Sequence, residues 1–337
     1  MVRSATSLGL AIEDGSCSPE FFRIYEDLAK GGVGLIISEY CYVAECLKSK
    51  SRMMGCYDER FIESYRPLVE KVHEEGSRFI VQLVECGNNS KYQIAEREIF
   101  GPSVFAHPKT GTLCRAMSKE KINQLVHCFV EAALQVQRCG FDGVQLHAPY
   151  GYLFSQFLSP CFNQREDEYG GRLENRSRFL LDTVKEIRVA VSMDFHLSVK
   201  LHCDDFMENG FTFEECCQLC QCLESAEIDS IEISGSNYSN RKDECYYASY
   251  AKQLADLVNV PIFVVGGNRN LVKMEEILNQ SKITGFSMCH ALMCEPNLPN
   301  LWMTDSKKQQ SAGCVVSVLK MEKFAFSILI RYFFTNV

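Results

Sequence analysis

The stretch Gly140–Phe179, GFDGVQLHAPYGYLFSQFLSPCFNQREDEYGGRLENRSRF, decides how the rest of the chain is read. Gly143-Val144-Gln145-Leu146 is a short, mostly apolar run that ends at His147, which predicts a buried strand presenting an imidazole at its carboxyl end. Pro149, Gly151 and a run rich in Asp, Glu, Asn, Gly and Arg follow, and then a helical pattern from Leu173 to Val191. A strand, a loop dense in donors and acceptors, and a helix make one unit of a parallel β/α fold.

Working outward, the same alternation recurs along the chain. Apolar runs stand at Val2–Ala5, Val33–Ser38, Phe79–Val84, Gly143–Leu146, His196–Leu201, Ser230–Ile233, Pro261–Val265 and Gly285–Met288. Helical patterns lie between them at Pro19–Lys30, Arg60–Glu75, Lys119–Arg138, Leu173–Val191, Phe213–Glu224, Tyr247–Val258 and Asn270–Asn279, with Thr212 and Glu215 spaced as a capping box. Continuous apolar strands covered by helices on both faces close naturally, eight at a time, into a (β/α)8 TIM barrel. The alternative, an open doubly wound sheet, lacks a Gly-x-Gly-x-x-Gly after its first strand. Glu85–Met117 has glycines and prolines but no helical period, so it is expected as a long excursion after strand 3, folded over a site.

The chain has 337 residues and a net charge of −8, which speaks against a sequence-independent nucleic-acid or anionic-membrane surface and for a small-molecule partner. Its 18 cysteines are scattered over a large chain without an export signal, so reduced thiols in the cytoplasm are expected. Cys216, Cys217, Cys220 and Cys222 sit inside a helical pattern and have no second pair at zinc spacing. They read as helix cysteines rather than a metal site.

Active sites of such barrels lie at the carboxyl ends of the strands. Ser4, Ala5 and Thr6 stand at the first, Tyr40 after the second and Gln82 near the third. His147 ends the fourth and Lys200 lies near the end of the fifth; Ser236 follows the sixth, Gly266-Gly267-Asn268 the seventh and His290 the eighth. Each taken singly reads as a satisfied core polar residue, but their joint position marks a site. Paired glycines also let backbone N–H groups close around an anion.

HAPYGYLFSQFLSP followed by DEYGGRLENRSRF resembles the FMN-dependent ene-reductases of the Old Yellow Enzyme family, the NADH:flavin oxidoreductases, over about Met1 to Trp302. The resemblance implies a barrel over 1–303 with a tail or helix over 304–337, holding FMN without a covalent bond. It also implies NADH or NADPH as reductant and an activated alkene as acceptor, with a homo-oligomer possible. In these terms His147, with Tyr150 three residues on, would grip the substrate oxygen, and Tyr152 would give a proton to the α-carbon. Ser4, Ala5, Thr6, Tyr40, Gln82 and Lys200 would hold the flavin ring. Ser236, Gly266, Gly267, Asn268 and His290 would hold its phosphate.

Several positions depart from the family pattern. Tyr150 replaces a His or Asn, and His290 replaces an arginine that forks onto the phosphate, which predicts weaker FMN retention. Glu85-Cys86-Gly87-Asn88-Asn89 stands where relatives show His-x-Gly-Arg. A missing lead before Met1 is expected to weaken closure of the barrel base. Only Cys314 remains of a tail Cys-x-x-Cys, and KFAFSILIRYFF is too short to span a bilayer. Two rival readings follow: a flavin-poor barrel with little activity, and a flavin-free lyase using Lys200 as a Schiff-base nucleophile.

Overall fold

The computed structural model describes residues 1–90, 92, 98–107, 111–235 and 243–304. Ser236 and the tail 305–337 lie outside them, so the readings placed there are not addressed.

Eight parallel strands close into a barrel. In chain order they are β1 (Val2–Arg3), β2 (Leu35–Tyr42), β4 (Arg78–Val84), β8 (Gly143–His147), β9 (His196–His202), β10 (Ser230–Ser234), β11 (Ile262–Val265) and β12 (Gly285–Met288). Closure is made by β1, which pairs with β12 through Val2–Ser287 and with β2 through Val2–Leu35. Two residues are enough to bridge both neighbours. A short β3 (Met54–Gly55) extends the far end of β2.

The helices α1 (Pro19–Lys30), α2 (Arg60–Glu74), α3 (Lys119–Cys139), α6 (Arg178–Ala190), α7 (Phe213–Ser225), α8 (Ala248–Leu257) and α9 (Leu271–Asn279) surround the barrel. Local chemistry sets their ends. The Ser18 side chain accepts from the Phe21 amide with Pro19 at the first turn, Ser118 caps α3, and the Thr212–Glu215 capping box opens α7. Gly140 ends α3 at φ 97°, a left-handed conformation that turns the chain straight into β8. Cys216, Cys217, Cys220 and Cys222 are free thiols on α7.

The predicted helix Leu173–Val191 is broken at Ser177 into α5 (Leu173–Arg176) and α6. Three short helices were not foreseen: α4 (Leu153–Leu158), α10 (His290–Cys294) and α11 (Leu298–Thr304). The excursion is not a plain loop. It forms a small sheet in the order β5 (Phe100–Gly101), β7 (Leu113–Ala116), β6 (Phe105–Ala106).

Glu85 is absorbed into this region: its carboxylate accepts from the Gly87 amide and its carbonyl accepts from Leu153 at the start of α4. The DEYGG segment is a clamp for the same layer. Arg165 forks onto Asp167 at 2.9 and 2.6 Å and donates to the carbonyls of Pro102 and Met117, while Asn163 ties Phe157 to Tyr169. Among the described residues no helix is long and apolar enough to cross a membrane.

Candidate functional site

The barrel interior is apolar at its base, where Val2, Ile37 and Ile80 meet, and polar above. Strand alternation forces this: Gln82, Gln145, Ser198, Lys200 and Glu232 are spaced two apart from inward-facing neighbours and have no outward route. They answer one another. Gln82 donates from Nε2 to Gln145 Oε1 at 2.7 Å, and Lys200 Nζ donates to Ser4 Oγ at 2.8 Å and lies 3.3 Å from Glu232 Oε2.

At the carboxyl end three rings gather around His147. Tyr152 meets it edge-on with centroids 4.7 Å apart, Tyr150 lies at 5.7 Å and Tyr40 at 6.4 Å, with Tyr40 and Tyr152 6.0 Å from each other. A register shift between Ile37 and Tyr40 in β2 is a bulge that re-aims Tyr40 to this place. Tyr150 adopts φ 64°, a left-handed conformation that costs a bulky residue of order 1–3 kcal/mol and marks a site held by its surroundings.

The His147 imidazole is buried and neither ring nitrogen has a hydrogen-bond partner. Burial, then the charges of Lys200 and His202, hold its pKa well below the ordinary histidine value, so it is neutral at pH 7 and carries one N–H and one lone pair. Burial, followed by the neighbouring Tyr40 hydroxyl and other groups, keeps the Tyr152 phenol protonated far above the usual tyrosine range. Burial pulls the Lys200 ammonium down, but Glu232, Tyr150 and Cys289 outweigh it and raise the pKa above the ordinary lysine value.

Of the sequence-derived candidates, Ser4, Tyr40, His147, Tyr150, Tyr152 and Lys200 come together, with Gln82 joined through Gln145. Ala5 packs at the edge of the apolar base. The Thr6 hydroxyl is already engaged, by the Arg3 guanidinium at 2.5 Å and Cys289 Sγ at 2.8 Å. Asn268 bridges two strand ends, donating to the carbonyls of Val264 and Ser287 at 2.8 Å each, and its Oδ1 is buried without a partner.

His290 is exposed at the start of α10. Gly266 and Gly267 have φ of 140° and 69°, and a Cβ on either would come within 2.6 and 2.8 Å of Tyr246. The glycine pair is thus required by the packed tyrosine as well as by any anion.

Sequence reading did not single out Glu232, Gln145, Lys50 or Arg269, and noted Glu39 only as the neighbour of Tyr40 at the second strand tip. A charge inside the alternation Ser-Ile-Glu-Ile-Ser was the available signal for Glu232. Glu39 is buried and clasps the loop after β1, accepting from the amides of Leu8 and Gly9 at 2.7 Å each. Lys50 lies 5.1 Å from the Tyr40 ring. Arg269 follows the glycine pair and lies 3.8 Å from Glu244.

A cavity of about 580 Å3 opens elsewhere, lined by Pro102, Ser103, Val104 and Gln164–Asp167. It is shallow and has no orphaned buried polar group, whereas the barrel mouth has both His147 nitrogens and the Ser234 hydroxyl. Those atoms ask for a polar-edged ligand. The ring end of the mouth therefore fits a flavin, with a cation, an amide and an orphaned imidazole at neighbouring strand tips.

A family model described as NADH:flavin oxidoreductase / NADH oxidase matches residues 1–308. The chain belongs to this family. Among curated relatives of this flavin oxidoreductase family, it is 30% identical to a metal reductase of Desulforamulus reducens over 92% of its own length, and 30% identical to an NADH oxidase of Thermoanaerobacter brockii over 89%. The chain spans 48% of the length of each of these two. It is 29% identical to an NADPH dehydrogenase of Bacillus subtilis, covering 84% of this chain and 83% of the other. The fold is similar to a 2-naphthoyl-CoA reductase in complex with 2-naphthoyl-CoA, with TM-score 0.86, 25% identity and coverage of 90% and 49% of the two chains. It is also similar in fold to morphinone reductase, with TM-score 0.80, 21% identity and coverage of 92% and 86%.

Proposed function

We propose that this flavin oxidoreductase family member takes reducing equivalents from NADH or NADPH and reduces an electron-poor alkene such as an enone, with residues 1–303 as the catalytic unit. The observation that carries the reading is His147: a buried neutral imidazole with no internal partner, ringed by Tyr40, Tyr150 and Tyr152 and set beside a buried cation. FMN, when bound, supplies a two-electron carrier that accepts hydride from the nicotinamide and hands it on to the substrate.

The chain's own residues do the rest. Lys200, with Ser4 and Gln82, binds the polar edge of the flavin ring, and the amides of Gly266 and Gly267 take its phosphate with Arg269 on the same loop. Asn268 and His290 complete that end. The His147 N–H donates to the substrate's carbonyl oxygen and stabilises the enolate-like charge that builds there, with Tyr150 as the second donor. Tyr152, held protonated, delivers the proton to the α-carbon. Tyr40 packs beside Tyr152 on the same flank of the imidazole.

Most cysteines among the described residues are free thiols, which suits a reducing, cytoplasmic setting, although Cys294 is disulfide-bonded. The test is direct: purified protein incubated with FMN and then freed of unbound cofactor should stay yellow and consume NAD(P)H in step with loss of an enone. Protein that comes out colourless after that separation refutes the reading and favours the flavin-poor barrel. That rival has one observation behind it, the exposed His290 in place of a phosphate-binding arginine.

A further inference from the structure

Glu232 is 1% exposed at the centre of the barrel and is not explained by alkene reduction. It sits where two chains of contacts meet. On one side its Oε2 lies 3.3 Å from Lys200 Nζ, which donates onward to Ser4 Oγ at 2.8 Å. On the other, the same oxygen accepts from Gln145 Nε2 at 3.4 Å, whose second N–H goes to Ser198 Oγ at 3.3 Å. Gln145 Oε1 in turn accepts from Gln82 Nε2 at 2.7 Å. A relay thus crosses the barrel from β4 through β8 and β10 to β9 and β1.

The relay has a direction, and Glu232 sets it. A carboxylate accepts and does not donate, so the Gln145 amide must turn its NH2 toward Glu232 and its oxygen toward Gln82. Gln82 must then spend an N–H on Gln145, which leaves its carbonyl oxygen outside the relay as an acceptor. With a neutral group at 232 either orientation of both amides is tolerable, because no fixed charge penalises an oxygen facing it. The same carboxylate also offsets the charge of Lys200, turning a bare cation into a dipole.

We propose that Glu232 is a positioning residue that does two things at once. Through Gln145 it fixes Gln82 as a hydrogen-bond acceptor for the flavin, and through Lys200 it limits the positive charge offered to the reduced ring. This rests on the flavin reading of the mouth, and it assigns to a single buried carboxylate both how tightly the flavin is recognised and how strongly reducing it becomes.

The test uses the full chain and two variants. In flavin-free protein, Glu232→Gln should shift the assigned side-chain amide signals of Gln82 and Gln145 in 15N spectra. In FMN-loaded protein it should favour the reduced flavin about tenfold, a rise in midpoint potential of about 30 mV for a two-electron couple. Gln145→Met cuts the relay but keeps the Lys200–Glu232 pair, so it should weaken FMN binding about tenfold and leave the potential unchanged. A structural role alone would not separate the two readouts in this way.

Unmoved amide signals or an unmoved potential in Glu232→Gln overturn the proposal, as does unchanged FMN affinity in Gln145→Met. If Glu232→Gln does not fold, Gln145→Met decides. Wild-type protein that never binds FMN brings down the flavin reading and the potential with it, while the amide spectra still decide the relay.

Discussion

Replacing Tyr152 by phenylalanine removes one hydroxyl and leaves a ring that still packs edge-on against His147 at 4.7 Å and beside Tyr40 at 6.0 Å. The perturbation is therefore confined to the proton. A positioned general acid contributes about a hundredfold to ten-thousandfold, which is about 2.7–5.4 kcal/mol of barrier at 1.36 kcal/mol per decade. The low end is expected here, because the Tyr40 hydroxyl neighbours the lost group and its own pKa is raised by burial, so it stays protonated and stands in partly.

Stopped-flow spectroscopy separates the steps. Reduction of the bound flavin by NAD(P)H should proceed within about twofold of wild type, while reoxidation by an enone should slow about a hundredfold. Because burial keeps the Tyr152 phenol protonated well beyond pH 10, wild-type reoxidation should show no falling limb up to pH 9. Equal slowing of both half-reactions, or a loss under threefold in reoxidation, would refute the assignment.

Truncating the orphaned imidazole, His147→Ala, should lower kcat/KM for the enone by about 10²–10³, and a normal value in steady-state assays would remove His147 from the site. The same residue carries a stability signature. Its folded pKa lies well below the unfolded value near 6.5, so the unfolded chain binds the extra proton and stability falls as pH drops below about 6.5, by up to about 1.4 kcal/mol per pH unit. Denaturant melts should lose that dependence in His147→Asn. His290→Arg should tighten FMN about tenfold, or about 1.4 kcal/mol, as read by fluorescence titration. Gly267→Ala, which puts a Cβ at φ 69° within 2.8 Å of Tyr246 and the Asp243 carbonyl, should cost at least about 1 kcal/mol in denaturant melts.

The barrel strands and the long helices were legible in the sequence, while the short helices α4, α10 and α11 and the break at Ser177 were not. The eight strands follow from runs of apolar residues bounded by polar ones, and the start of α7 at Thr212 is written in capping chemistry that acts over three residues. His147 was found the same way, because a polar residue that ends an apolar strand has only the barrel mouth to occupy, whereas Tyr152 lies beyond the strand and was singled out by the family resemblance alone. What only the tertiary structure decided are meetings between strands that the sequence keeps far apart.

Lys200 meets Glu232 and Ser4, Gln145 turns toward Gln82, and Glu39 reaches back to the amides of Leu8 and Gly9. Barrel closure and parallel register set those distances. Periodicity leaves register open, since strands buried on both faces are apolar throughout and a two-residue shift keeps the same side chains inward. The excursion after β4 was unreadable for a related reason: its strands of two to four residues are too short to show a period and are held by Arg165 and α4 from outside the segment. Sequence thus placed the chemistry at the strand tips, and folding decided which charges and amides would face one another there.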